Sequence, residues 1–127
     1  MRIGLGLAEN TGNRTLYRMA SAFLHPLAVC SARQGSGSLP LDSRLLTVDG
    51  NVCISTVKKA EDSNGIIIRL SDESGEGSEF TLTFASVPSA AFDTDINENI
   101  RSGIEVQGNS VRSNVKPFAV RTVLVIF

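Results

Sequence analysis

The sequence predicts an all-β protein: an antiparallel β-sandwich with one short N-terminal helix. Two observations carry this. From Leu45 onward, short runs rich in β-branched residues recur between turn signals, at the spacing of about 8–12 residues that marks sandwiches and barrels. Before Leu45 there is only one segment with helical period.

The elements follow in order. In residues 2–8, Ile3, Leu5 and Leu7 alternate with Gly4 and Gly6. This reads as a short strand whose glycines allow a close neighbour. Leu16, Met19, Ala20 and Phe23 then fall at i, i+3, i+4 and i+7, one face of a helix over 14–24. Asn13 is its expected N-cap, and Pro26 stops it. A helix this short must dock on something. Residues 31–43 are polar and rich in Gly and Ser, a surface linker.

The expected strands are 45–48, 51–59, 65–71, 78–85, 90–96, 104–107, 110–116 and 118–126. In the stretch Val52 to Leu70, two apolar runs flank a charged loop ending in Asn64-Gly65, the pattern of a hairpin. Gly75-Glu76-Gly77 and Gly108-Asn109 are further turn signals. Phe80, Leu82 and Phe84 alternate with Glu79, Thr81 and Thr83, so one side of that strand is buried and the other wet. The unbroken apolar runs Ile66-Ile67-Ile68 and Val123 to Phe127 should be central strands, buried on both faces, with the C-terminus in the core.

Composition narrows the function. The 127 residues are 42% hydrophobic and include no Trp, so the core is mostly aliphatic. Lys+Arg 12 against Asp+Glu 13 gives a net charge of −1, without the basic surplus of a nucleic-acid binder. No apolar run approaches the roughly 20 residues of a membrane span, and Met1 to Leu7 does not read as a signal peptide. Cys30 and Cys53 make no disulfide framework. Two buried free thiols, and with them a cytoplasmic location, are expected. The sequon Asn13-Arg14-Thr15 would matter only in a secreted chain.

Sites of chemistry are scarce. His25 is the only histidine, and no G-x-S-x-G elbow accompanies it. Gly4-Leu5-Gly6 lacks the third glycine and preceding strand of a dinucleotide fingerprint, since Glu9 stands where glycine is needed. Asp93, Asp95, Asn97 and Asn99 imitate half a calcium loop, but Glu98 and Ile104 occupy the positions that need glycine and glutamate. The loop with Asp72, Glu73 and Glu76 reads as solvated carboxylates rather than a glycosidase pair. The charges at Lys58, Lys59, Glu61 and Asp62 form either a solvated hairpin tip or an interdomain contact. Arg69 lies in an apolar run, so it should be paired with a carboxylate of the hairpin or of another domain.

A series of motifs adds a resemblance. Ala20-Ser21-Ala22-Phe23-Leu24-His25-Pro26-Leu27 is similar to an A-x-x-F-N-x-P-L segment, with Leu24 in place of asparagine. The block from Val52 to Leu70, containing Lys58-Lys59-Ala60-Glu61-Asp62 and Gly65, resembles V-x-x-x-x-x-K-K-A-E-D-x-x-G-x-I-x-R-L. Thr94-Asp95-Ile96-Asn97-Glu98 resembles T-D-L-x-E. Pro117-Phe118-Ala119-Val120-Arg121-Thr122 resembles P-Y/F-E-I-R/K-T, with Ala119 replacing the acidic residue. In this order the motifs resemble those of the C-terminal region of family 38 glycoside hydrolases, the α-mannosidases.

The resemblance implies a division of the chain. Residues 1–30 would be the end of a preceding β domain plus the helix, 31–43 the linker and 44–127 the C-terminal sandwich. It also implies an accessory role beside a separate catalytic domain, which holds a zinc ion and an aspartate nucleophile. No position here matches those catalytic or zinc motifs. The chain is therefore not expected to be catalytic alone, and no cofactor is assigned to it. The catalytic domain is the expected partner, with Lys58, Lys59, Glu61, Asp62 and Arg69 as interdomain contact candidates. The alternatives are a free-standing carbohydrate-binding module, which usually needs an exposed aromatic platform, and a structural protein that forms a homo-oligomer through exposed sheet. Neither a nucleic acid nor a membrane is an expected partner.

Overall fold

The computed structural model describes residues 3–7, 9, 12–31, 33, 35–38 and 43–127. The chain separates into two compact units, Met1–Ser43 and Arg44–Phe127. Part of the expected linker, residues 32, 34 and 39–42, lies outside the described residues, as do residues 2 and 8 of the expected first strand.

The first unit holds helix α1, Asn13–Leu24. Its N-cap is Gly12 rather than Asn13, without a side-chain cap. The Gly12 carbonyl instead accepts from Thr15 and Leu16 N–H. At the other end His25 N–H donates to the Ser21 carbonyl, and Pro26 follows. Residues 3–7 form no strand, because a strand needs a ladder partner and none is present among the described residues. The glycines do permit close approach: Gly4 lies against the Phe23 ring and Gly6 against the Met19 methyl. No described residue of this unit is buried. Leu16, Met19 and Phe23 therefore stay partly exposed, at 37–48%.

The second unit is a two-sheet antiparallel sandwich. Its strands are β1 Leu46–Gly50, β2 Cys53–Lys59, β3 Ile66–Ser71, β4 Ser78–Phe84, β5 Ala90–Thr94, β6 Ile100–Ile104, β7 Val106–Gln107, β8 Ser110–Val115 and β9 Val120–Ile126. One sheet has the order β1-β4-β8-β7 and the other β2-β3-β9-β5-β6. The core between them contains Ile68, Leu70, Phe80, Leu82, Val111, Val123 and Val125. The alternation of β4 holds: Phe80, Leu82 and Phe84 are buried while Glu79 is exposed. The apolar runs are internal strands as expected, with β9 third of five and β3 beside it. A smaller cluster on the outer face of that sheet joins Ala60, Ile67 and Leu124, with Phe92 and Ile126 packed on it. Phe127 is only partly covered, its ring meeting Phe84 edge-on with centroids 5.5 Å apart.

Three further expectations change. The predicted strand over 104–107 is two strands in different sheets, β6 and β7, parted at Glu105. Most of β6 carries no apolar alternation because it is an edge strand exposed on both faces. Cys30 is exposed, since nothing in its unit is buried, and Cys53 is half-buried because it opens the edge strand β2. Gly65 does not take a left-handed turn conformation. It is a close-approach glycine: a methyl there would stand 2.6 Å from Leu124 Cδ1 and 2.8 Å from the Val125 carbonyl.

Both edges of the five-stranded sheet are irregular. Pairing shifts between Ile54 and Thr56 on β2, and opposite β6 between Asp93 and Thr94. With Lys58 and Lys59 on β2, these bulges discourage edge-to-edge pairing with another chain.

Candidate functional site

Strand register places the motif residues together. Thr56 pairs with Arg69, Arg69 with Thr122 and Thr122 with Thr94, forming one row across the five-stranded sheet. Lys58 pairs with Ile67, two residues along β3 from Arg69, so Lys58 and Arg69 share the outer face. The turn between β5 and β6 brings Glu98 to both. Its Oε1 lies 2.7 Å from Lys58 Nζ and 4.0 Å from Arg69. Its Oε2 accepts the Glu61 N–H at 2.8 Å. Lys58 also pairs with the Glu61 carboxylate at 2.6 Å, and Arg69 donates to the Ile96 carbonyl at 2.8 Å.

Arg69 is thus paired within this domain, and not with a carboxylate of the hairpin. Its partner Glu98 belongs to the β5–β6 turn of the same domain. Lys58 and Glu61 join that cluster, whereas Lys59 and Asp62 stay exposed and outside it. The electrostatics follow from the contacts. Hydrogen bonds to Glu61 and then to Glu98 raise the Lys58 pKa. The Lys58 ammonium, then the Glu61 N–H, holds the Glu98 carboxyl below its ordinary value. Glu98 adopts a left-handed φ of 70°, uncommon for a residue with a side chain.

The remaining acidic positions have structural uses. Asp95 accepts from the Asn97 and Asn99 N–H groups and from the Asn99 side chain. Asn99 is the main cause of its lowered pKa. Asp93 pairs with Arg121 at 2.9 Å. This set builds a turn, not a calcium loop, and among the described residues no three His, Cys, Asp or Glu converge to hold a metal. His25 caps α1 through its backbone.

The loop after β3 departs most from expectation. Asp72 is buried rather than solvated, at 3% exposure. One carboxylate oxygen accepts from Ser74 N–H and hydroxyl, and the other from the N–H groups of Gly75, Gly77 and Phe118. These bonds, the Ser74 hydroxyl first, drive its pKa far below the usual carboxylate range. Phe118 is held there at a left-handed φ of 53°, with its ring on Gly75, yet it remains 70% exposed. The only sign of this residue in the sequence is its place in the P-F-A-V-R-T motif.

On the opposite sheet the outer face is polar. Glu79 and Arg112 form an ion pair there beside a hollow of about 360 Å³ lined also by Glu105, Gln107 and Asn114.

No curated protein matches the chain. A family model does, that of the glycosyl hydrolases family 38 C-terminal beta sandwich domain, over residues 51–123. The match runs from the residue before Val52 to the middle of β9, and so contains the Glu98 cluster, the Asp72 loop and Phe118. The chain belongs to the family 38 glycosyl hydrolase C-terminal β-sandwich domains.

Proposed function

We propose that this chain is the accessory C-terminal domain of an α-mannosidase, packing on a separate catalytic module and not hydrolysing mannosides by itself. The observation that supports this is the family match over most of the sandwich. Lys59 and Asp62, exposed at the hairpin tip, remain interdomain contact candidates in this reading. Lys58, Glu61 and Arg69 act behind them, through Glu98, to hold that tip in place.

The zinc implied by the resemblance does not fit this chain. Asp72, Asp95 and Glu98 spend their carboxylate oxygens on N–H groups, a hydroxyl or a cation, and among the described residues no three His, Cys, Asp or Glu converge to hold a metal. In this reading zinc chemistry belongs to the catalytic module. The test is an assay of the pure 127-residue chain on a chromogenic α-mannoside, with and without added zinc. No release of aglycone is expected. Zinc-dependent turnover that tracks the purified chain would refute the accessory reading.

A further inference from the structure

We propose that Phe118 is a sugar-stacking platform, a site for one neutral pyranose ring on the surface of the sandwich. Three linked features present this ring. Its backbone occupies φ 53°, a conformation that bulky residues adopt only when their surroundings impose it. The imposing group is buried Asp72, which accepts the Phe118 N–H at 3.1 Å. Beneath the ring is Gly75. A methyl built on Gly75 would have Cζ, Cε1 and Cε2 of Phe118 all within 3.0 Å, which requires Gly75 to lie against the ring's face rather than its edge. Gly75 therefore covers the Cζ end of one face, and at 70% exposure the rest of the ring is open to solvent.

A buried carboxylate, four N–H donors and a strained aromatic residue thus hold an apolar ring out in water. The Asp72 bonds stabilise the loop, but the ring itself adds little to the core, since it stays exposed. An open aromatic face accepts the C–H face of a sugar. Groups for the hydroxyl edge occur in the same two turns: Glu76 beside Gly75 and Lys116 two residues before Phe118, both exposed. The mixed charge favours a neutral polyol over an anion or a cation. A single platform without a walled pocket sets the dissociation constant on the order of millimolar.

The proposal stands apart from the accessory role, which would survive its failure. The test is an NMR titration of the chain with methyl α-mannoside and methyl α-glucoside. Saturable shifts are expected at the amides of Gly75, Glu76 and Phe118. Phe118→Asn keeps the N–H to Asp72 and tolerates the left-handed backbone, so it should fold and lose the response. Phe118→Trp should retain or strengthen it. Because the chain has no Trp, the emission of that variant should shift with the same saturation constant. Absence of saturable shifts with both glycosides, or an unchanged response in Phe118→Asn, would overturn the proposal. So would Phe118-dependent self-association in sedimentation without sugar binding, which would make the ring a protein contact.

Discussion

The Glu98 carboxylate joins Lys58 at 2.7 Å and, through its other oxygen, the Glu61 backbone at 2.8 Å. One side chain thereby ties the β5–β6 turn to the β2–β3 hairpin. Beneath that hairpin tip, Ala60 closes over Ile67 and Leu124. The ionic cluster is thus a clasp over an apolar patch on the outer face of the sheet.

The clasp should behave as one unit. In a double-mutant cycle, Lys58→Met should cost clearly less in the Glu98→Gln background than in the wild type. Hydrogen exchange should show 60–65 and 95–99 loosening together in Glu98→Gln. Additive losses, or loosening of one loop alone, would show that the contacts are independent. The pH dependence follows from the shifts. Glu98 is depressed, so its contribution is present above the ordinary carboxylate range and lost as pH falls through its lowered value. Lys58 is raised, so its contribution is full below the ordinary lysine value and lost only at strongly alkaline pH.

Asp72 sets a second acid-sensitive point. Its carboxyl is depressed, so it stabilises the fold at all pH values above the ordinary carboxylate range and loses this only under strong acid. Asp72→Asn replaces one accepting oxygen with a donor. It must abandon the N–H groups of Gly75, Gly77 and Phe118 or the pair from Ser74. A melting temperature lower by several degrees is expected at neutral pH, with the difference from wild type shrinking in strong acid. An equal melting temperature at pH 7 would show that the bonds contribute nothing net.

Gly65 offers a steric test. The methyl of Gly65→Ala would meet Leu124 Cδ1 at 2.6 Å and the Val125 carbonyl at 2.8 Å, and the carbonyl belongs to a central strand that cannot yield. Overpacking of this kind costs about 1–3 kcal/mol. Urea unfolding should show it as a lower midpoint at unchanged slope. A gain in stability, as from an entropy-limited glycine, would show that the strand does move.

Local pattern revealed much of this fold, and the long-range contacts explain where it did not. The alternation of Phe80, Leu82 and Phe84 reports burial directly, and the runs around Ile67 and Leu124 report strands covered on both sides. Ile3, Leu5 and Leu7 alternate equally well, but alternation describes a strand only when another strand pairs with it. The edge strand Ile100–Ile104 carries little pattern because neither face is buried. The same holds for the site. The sequence marks Arg69 as a charge needing a partner, but Glu98 reaches it only through the order β3-β9-β5. Likewise an aspartate among glycines reads as solvated until Phe118, 46 residues later, folds back to donate to it.

Thr94 closes the row that begins at Thr56 and Arg69, and it is the place where a substitution should help. It is 3% exposed, and its hydroxyl has no hydrogen-bond partner. A buried hydroxyl left unpaired costs roughly 1–3 kcal/mol. Valine has nearly the same shape, suits a strand at least as well and carries no polar atom. Thr94→Val should therefore leave the fold unchanged and raise the unfolding free energy by about 1 kcal/mol, read as a higher urea midpoint. Thr122, its neighbour on β9, is equally buried but has no such orphaned atom, so Thr122→Val should be neutral or destabilising. If Thr94→Val instead lowers the midpoint, the hydroxyl has a partner in the folded chain, and the row is a connected polar network rather than a packed one.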